Sequence, residues 1–274
     1  MIGAIIGDVV GSIYETLEYN VKDKGRSYEE RMEIMDNNTP LFLHDSIVTD
    51  DSVLTIAVAD AIKNNKDYAD VLREYALREI SEGRNRFGSG FISWVNSEGD
   101  GMSTGNGCAM RISPVGYLFN DLETVKEESR KVTSTSHNNP DCIKCAEAVA
   151  VSIYLLRNGM NKEDLKKYIE DNYFSLDYDL EDLRHNYAFE VSTIKSVPQS
   201  IFCFIESNSF EDGIRKAISI GGDSDTIACI VGALSEAYYG VPDTLIKGLD
   251  DYLLDYMKPI LNQVYGGLYG KSSK

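Results

Sequence analysis

Two short segments carry more oxygen ligands than helix capping requires. Thr49-Asp50-Asp51-Ser52 stands immediately before Val53-Leu54, and Gly221-Gly222-Asp223-Ser224-Asp225-Thr226 immediately before Ile227-Ala228. Each places hydroxyl and carboxylate oxygens on the first turn of an apolar helix. Asp, Ser and Thr are favoured N-caps, and acidic side chains suit the positive end of a helix dipole. Capping accounts for one oxygen per helix, whereas each segment offers three or four. Oxygen-rich clusters without His or Cys suit hard cations such as Mg²⁺, Mn²⁺ or Ca²⁺. An EF-hand does not fit, because neither Asp223-x-Asp225 nor Asp177-x-Asp179 is followed by the loop's Gly and its Glu. If the two helix starts face each other, Asp50, Asp51, Asp223 and Asp225 share one small volume. Like charges about 5 Å apart repel by about 3 kcal/mol per pair at an effective dielectric near 20. Two divalent ions would offset that charge and polarise substrate oxygens.

Other segments have the character of ligand architecture. Gly105-Asn106-Gly107-Cys108-Ala109-Met110-Arg111 is a Gly-rich turn entering an apolar segment, where successive N–H groups can meet a phosphate. It matches neither a P-loop nor a GxGxxG fingerprint. His137, in Thr135-Ser136-His137-Asn138-Asn139-Pro140, sits just before a helix. At the N-terminus, Gly3, Gly7 and Gly11 recur every four residues, the spacing of a tightly packed core helix, and Glu15 ends that segment. Trp94 is expected in the core. Cys142-Ile-Lys-Cys145 is a CxxC, but a zinc site needs two further ligands, so two small residues on a helix is the simpler expectation.

The elements that must position these groups are helical. Apolar residues recur at helical spacing over 51–64, 68–80, 141–158 (ending at Gly159), 162–171, 197–206 (Pro198 near its start), 210–219 and 224–239, with one or two more helices over 243–264. No Asn-Gly or Asp-Gly turn joins two alternating strands; the Gly-rich stretch 99–107 is too irregular for a hairpin. Segment 172–192, acidic and aromatic, is expected to be a long surface connection with the character of a lid. With no linker and no internal repeat, the expectation is one compact all-α domain over 1–274.

Composition narrows the function classes. The chain has 274 residues, enough for a sizeable core, and 43% of them are hydrophobic, too many for a disordered polymer. A net charge of -17 argues against wrapping duplex nucleic acid, which needs clustered Lys and Arg. Any bound phosphate then needs a metal ion or a nest of backbone N–H groups. There is no run of about 18 apolar residues, so no membrane span is expected. The first residues lack a basic region and reach Asp8 too soon for a signal peptide. Five cysteines, an odd number, fit a reducing compartment, so a cytoplasmic location is expected.

In this order, the segments GAIIGDVVGSIYE at 3–15, TDDS at 49–52, GNGCAMRISPVG at 105–116, SHNNP at 136–140, VPQS at 197–200 and GGDSDTIACIVGALSEAYYG at 221–240 resemble the ADP-ribosylglycohydrolase family. The TDD and GGDSDT motifs are the specific ones. The resemblance implies an all-α fold, a binuclear Mg²⁺ centre (Mn²⁺ in some members) and cleavage of the N- or O-glycosidic bond between ADP-ribose and an acceptor. By motif, Thr49, Asp50, Asp51, Asp223, Asp225 and Thr226 would be metal ligands, and Glu15, Asp51 and Asp225 the candidates for catalysis. Gly105 to Met110 (Gly105, Asn106, Gly107, Cys108, Ala109, Met110) would hold the pyrophosphate, and His137 would contact the diphosphate-ribose part. Ser224 stands where Thr is common. No motif fixes the position of an additional acidic residue near the substrate; Asp100 is the candidate. Two other readings stand beside a hydrolase of ADP-ribose conjugates: a two-metal phosphohydrolase acting on a nucleotide pyrophosphate, and a non-catalytic ADP-ribose-binding member. Nucleic acid enters only as a possible ADP-ribosylated substrate.

Overall fold

In the computed structural model, residues 1–15 and 27–267 are described. Among them every regular element is a helix, and extended pairing is limited to two isolated antiparallel bridges, Met102–His137 and Gly105–Ser192. The expected all-α class is therefore correct. The expected helices are found at Asp50–Asn64, Tyr68–Ser81, Pro140–Arg157, Lys162–Asn172, Phe210–Ile220 and Ser224–Tyr239, and 243–264 divides into Asp243–Leu249 and Met257–Tyr265. Gly159 follows the Pro140–Arg157 helix at φ +93°, as a terminating glycine should.

The centre of the fold is a seam between the Ile2–Gly11 helix and the Ser224–Tyr239 helix. They run antiparallel. A Cβ built on Gly3 would lie 2.2 Å from the Gly232 carbonyl oxygen, one on Gly7 1.9 Å from that of Ala228, and one on Gly11 2.5 Å from that of Ser224. Only hydrogen at these positions permits such close approach. The four-residue glycine spacing is thus a packing device, and its consequence is positional. It brings the C-terminal end of the first helix, followed by Glu15, to the N-terminal end of the helix that carries Asp225.

Three boundaries differ from the sequence expectation, each for a physical reason. The helix expected at 197–206 begins at Thr193, so Pro198 lies inside it. Thr193 is tied to the Thr104 carbonyl by its N–H (3.2 Å) and by its Oγ1 (3.0 Å), which fixes the start upstream of the proline. The Leu122–Ser134 helix has no counterpart among the expected elements. It is capped by Asp121, which accepts from Thr124 N at 2.8 Å, and it buries only Val125, Ser129, Val132 and Thr133, a stripe half polar in composition. Segment 172–192 is not wholly irregular. It contains the Leu180–Asn186 helix, buries Leu176, Leu183 and Arg184, and so is anchored to the body.

Trp94 is buried as expected, its Nε1 donating to the Gly99 carbonyl at 3.0 Å. Cys142 and Cys145 lie buried on the Pro140–Arg157 helix. All five cysteines are free thiols, and no Cys or His belongs to a metal-competent cluster among the described residues.

Candidate metal centre and substrate turn

The two helix starts do meet. Carboxylate oxygens of Asp8, Asp51 and Asp225 lie within 4.8 Å of one another, and so do those of Glu15, Asp223 and Asp225. The two triads share Asp225. Thr226 Oγ1 reaches to 3.4 Å from Asp51 Oδ2, joining the second helix start to the first. Thr226 N donates to Asp225 Oδ1 at 2.8 Å, which fixes the rotation of that carboxylate. The Gly221-Gly222 turn before it has φ of +79° and +76°, a region open mainly to glycine. A Cβ on Gly222 would also strike Tyr187, 2.4 Å from its Cε1, so the 172–192 segment braces the turn from outside.

Asp8 is the residue the sequence expectation missed. It lies fully buried in an otherwise apolar helix and reaches across to the start of the Asp50–Asn64 helix. Its Oδ2 accepts from Thr49 N and from Ser52 N, each at 3.1 Å, and also from Ser52 Oγ. Its Oδ1 accepts from Thr49 Oγ1 at 2.6 Å. Asp8 therefore satisfies first-turn donors of another helix while contributing to the acidic triad. The available signal was a lone Asp inside an apolar, glycine-spaced run, one position after Gly7.

Electrostatics match the crowding. Burial, then the charge of Asp225, raises Asp8 to about 7 against the hydrogen bonds from Ser52 and Thr49. Burial and the neighbouring Asp225 raise Glu15 to about 9. Asp50, Asp51 and Asp223 are pushed well above the usual carboxylate range, in each case first by burial and then by Asp225. Asp51 Oδ1 is buried without a hydrogen-bond partner. None of these carboxylates forms an ion pair with a Lys or Arg among the described residues. A buried oxygen without a donor, in an all-oxygen set of adjacent carboxylates, fits a hard divalent cation.

The remaining expected residues fall around this cluster. Thr49 caps its helix, accepting from Asp51 N at 3.3 Å. Asp50 is half-buried and lies outside both triads. Asn106 is buried and donates from Nδ2 to Asp223 Oδ2 at 2.7 Å, so the glycine-rich turn is tied to the acidic centre. Gly105 and Asn106 pair with Ser192 and Val191, while Gly107, Cys108, Ala109 and Met110 form a single helical turn. The Met110 carbonyl accepts from Cys229 Sγ at 3.4 Å, which docks that turn on the Ser224–Tyr239 helix. Ser224 is buried, its Oγ donating to the Gly222 carbonyl at 3.4 Å. His137 is buried beside the turn: a Cβ on Gly107 would lie 3.6 Å from its Nε2. Burial, then the nearby Arg111 charge, holds His137 well below the usual imidazole range. Asp100 lies exposed at the rim, accepting from Asn138 Nδ2 at 3.2 Å.

The family model for ADP-ribosylglycohydrolase matches residues 1–273, and the chain belongs to that family. Among curated proteins it is similar to ADP-ribosylhydrolase ARH3 of Mus musculus, 24% identical and covering 87% of this chain and 82% of that one. It is also similar to ADP-ribosylarginine hydrolase Tri1 of Pseudomonas putida (26%; 88% and 70% covered). A third relative is ADP-ribosyl-[dinitrogen reductase] glycohydrolase of Rhodospirillum rubrum (25%; 88% and 85%). A solved structure described as an ADP-ribosylglycohydrolase-related protein complex superposes with a TM-score of 0.68 over 98% of this chain and 96% of that chain; at 19% identity it supports the fold. No described helix is long and apolar enough to cross a membrane.

Proposed function

We propose that the protein is a divalent-metal-dependent hydrolase that releases ADP-ribose from a glycosidic conjugate. The observation that carries this reading is the pair of acidic triads sharing Asp225. Asp8, Asp51 and Asp225 would hold one ion and Glu15, Asp223 and Asp225 a second, with Thr49, Asp50 and Thr226 completing the oxygen set. Mg²⁺ is the expected metal, with Mn²⁺ the nearest substitute. When bound, the pair of ions supplies Lewis-acid polarisation of ribose oxygens and of a water.

The chain's own groups do the rest. Within the Gly105 to Met110 turn the N–H groups of Gly105, Asn106, Ala109 and Met110 are bonded to Ser103 Oγ, the Val191 carbonyl and, for the last two, the Asn106 carbonyl. The N–H groups of Gly107 and Cys108 are therefore the ones that would receive the diphosphate, which lets an acidic protein bind an anion without a cluster of Lys or Arg. Asn106 Nδ2 holds Asp223 Oδ2 and leaves the other carboxylate oxygen directed elsewhere. Cleavage at C1 of the ribose passes through an oxocarbenium-like state, which needs a carboxyl group to protonate the leaving atom or to take a proton from water. Glu15 fits the second of these tasks best, taking a proton from water through the oxygen not turned to the ion, since a carboxylate that holds a cation stays deprotonated. It retains partial solvent exposure, while Asp8, Asp51, Asp223 and Asp225 are buried. Asp51 and Asp225 then act by holding charge close to the reacting centre.

Product analysis by mass spectrometry tests the reading. Purified protein, with Mg²⁺ or with EDTA, is mixed with ADP-ribosylated arginine, serine and nucleic-acid substrates and with O-acetyl-ADP-ribose. Mg²⁺-dependent release of intact ADP-ribose is the expected result, and it identifies the acceptor in the same experiment. AMP, with the 5-phosphoribosyl group still attached to the acceptor, would instead make the protein a phosphohydrolase. Tight ADP-ribose binding without turnover of any conjugate would make it a non-catalytic member.

A further inference from the structure

We infer that Arg111 and Ser136 hold His137 in a single tautomer, neutral with its proton on Nε2, so that it serves the substrate turn as a hydrogen-bond donor. The proton positions follow from the chain of contacts. Arg111 is fully buried, and a guanidinium has donors and no acceptor. Its Nη2 lies 2.6 Å from Ser136 Oγ, so Ser136 Oγ is the acceptor of that bond. Ser136 Oγ lies 2.7 Å from His137 Nδ1 and is itself fully buried, with no other acceptor for its hydroxyl among the described residues. The hydroxyl proton therefore goes to Nδ1, and Nδ1 must be unprotonated. The opposite tautomer would aim two donors at Ser136 Oγ and leave a buried hydroxyl proton without an acceptor. A charged imidazolium would do the same and would sit beside the Arg111 charge.

Arg111 remains protonated near neutral pH, burial lowering it only to about 10. It is also fixed in place, its Nη2 3.4 Å from the Val132 carbonyl and its guanidinium 5.5 Å above the Phe91 ring. The His137 backbone is held by its N–H to the Thr133 carbonyl (2.9 Å) and by the bridge to Met102, and the ring by Ser136 Oγ. Its other nitrogen, Nε2, faces the Gly107 turn and has no hydrogen-bond partner among the described residues. A neutral Nε2–H at that place adds a directed donor without adding charge. Its acceptor is an oxygen of the diphosphate, a ligand identity that rests on the proposed function. Arg111 and Ser136 are positioning residues: they act on the ligand only through the imidazole.

Histidine-selective ¹⁵N labelling and long-range ¹H–¹⁵N correlation read the tautomer directly. The chain has three histidines, and His44 and His185 are exposed, so a His137→Gln variant assigns the remaining set. The expected wild-type spectrum at pH 7 has His137 protonated at Nε2 only. A doubly protonated ring, or a proton on Nδ1, overturns the inference; should His137→Gln fail to fold, single replacements of the exposed His44 and His185 assign His137 as the signal that stays. In Ser136→Ala the ring is expected to populate both tautomers, and an unchanged spectrum would remove Ser136 from its role. Adding ADP-ribose should shift the Nε2–H proton. If calorimetry shows ADP-ribose bound and that proton does not move, the donor role is lost. If ADP-ribose does not bind, the functional reading fails, while the tautomer stands or falls on the free-protein spectrum.

Discussion

Asp8 receives four donors, two backbone N–H groups and two hydroxyls, and also faces Asp225. Replacing it with Asn leaves one acceptor oxygen and turns an NH₂ toward donors. Asp8→Asn is therefore expected to cost about 1–3 kcal/mol of stability and to weaken divalent-metal binding. Thermal unfolding and metal titration by calorimetry check both effects; loss of stability with unchanged metal affinity would leave Asp8 a cap only. Asp225 behaves differently because it belongs to both triads. Asp225→Asn is expected to abolish metal-dependent turnover, with a loss of at least about 10³-fold. The same variant in EDTA should melt no lower than the wild type, because it removes a charge that repels Asp8, Asp51 and Glu15. A metal-free variant that melts well below the wild type would mean that Asp225 acts mainly through hydrogen bonds such as the one from Thr226 N.

At the scale of elements, the glycine seam controls the site. A methyl group at Gly7 would sit 1.9 Å from the Ala228 carbonyl oxygen, so the two helices must separate. Gly7→Ala is expected to destabilise the protein by at least about 1–3 kcal/mol, the usual range for overpacking. It should also abolish stabilisation by Mg²⁺, since each triad has a member on either side of the seam. Gly88→Ala is the matched control. No atom lies within 4 Å of its Cβ and its φ is negative, so the cost should be no more than about 1 kcal/mol, the preference of an N-cap for Gly over Ala. Melting curves with and without Mg²⁺ read both variants. Equal behaviour of the two would show that the seam does not set the carboxylate spacing.

The whole molecule carries the cost of concentrating acid in its interior. Asp8 rises from 3.8 to about 7 and Glu15 from 4.5 to about 9 on folding. Between those limits the folded, metal-free protein binds protons that the unfolded chain has released, so stability falls as pH rises. The melting temperature in EDTA should accordingly decline from about pH 5 toward pH 9. Saturating Mg²⁺ favours the deprotonated carboxylates, so its stabilisation should grow over the same window. Scanning calorimetry at several pH values, with and without Mg²⁺, decides it. A metal-free melting temperature that rises with pH would contradict the buried, mutually repelling cluster.

How much of this was legible beforehand differs by kind of feature. The helical class, most helix positions and both acidic helix starts follow from local pattern, because 3.6-residue periodicity and oxygen-rich first turns are properties of short segments. The same holds for the glycine spacing, which signalled close packing but not against which partner. The Leu122–Ser134 helix was illegible because its buried stripe is half polar. Asp8 was illegible for a related reason: in sequence it interrupts an apolar run, and only the approach of the Asp50–Asn64 helix supplies its donors. Which carboxylates share a volume, and that Asp225 stands between two sets, depends on residues 8, 51 and 225 meeting across a seam. The sequence by itself determined the residue types that can hold a hard cation and the helices that present them. Tertiary structure alone decided their grouping, their raised proton affinities and the single orientation of His137, because these arise from distances between segments far apart along the chain.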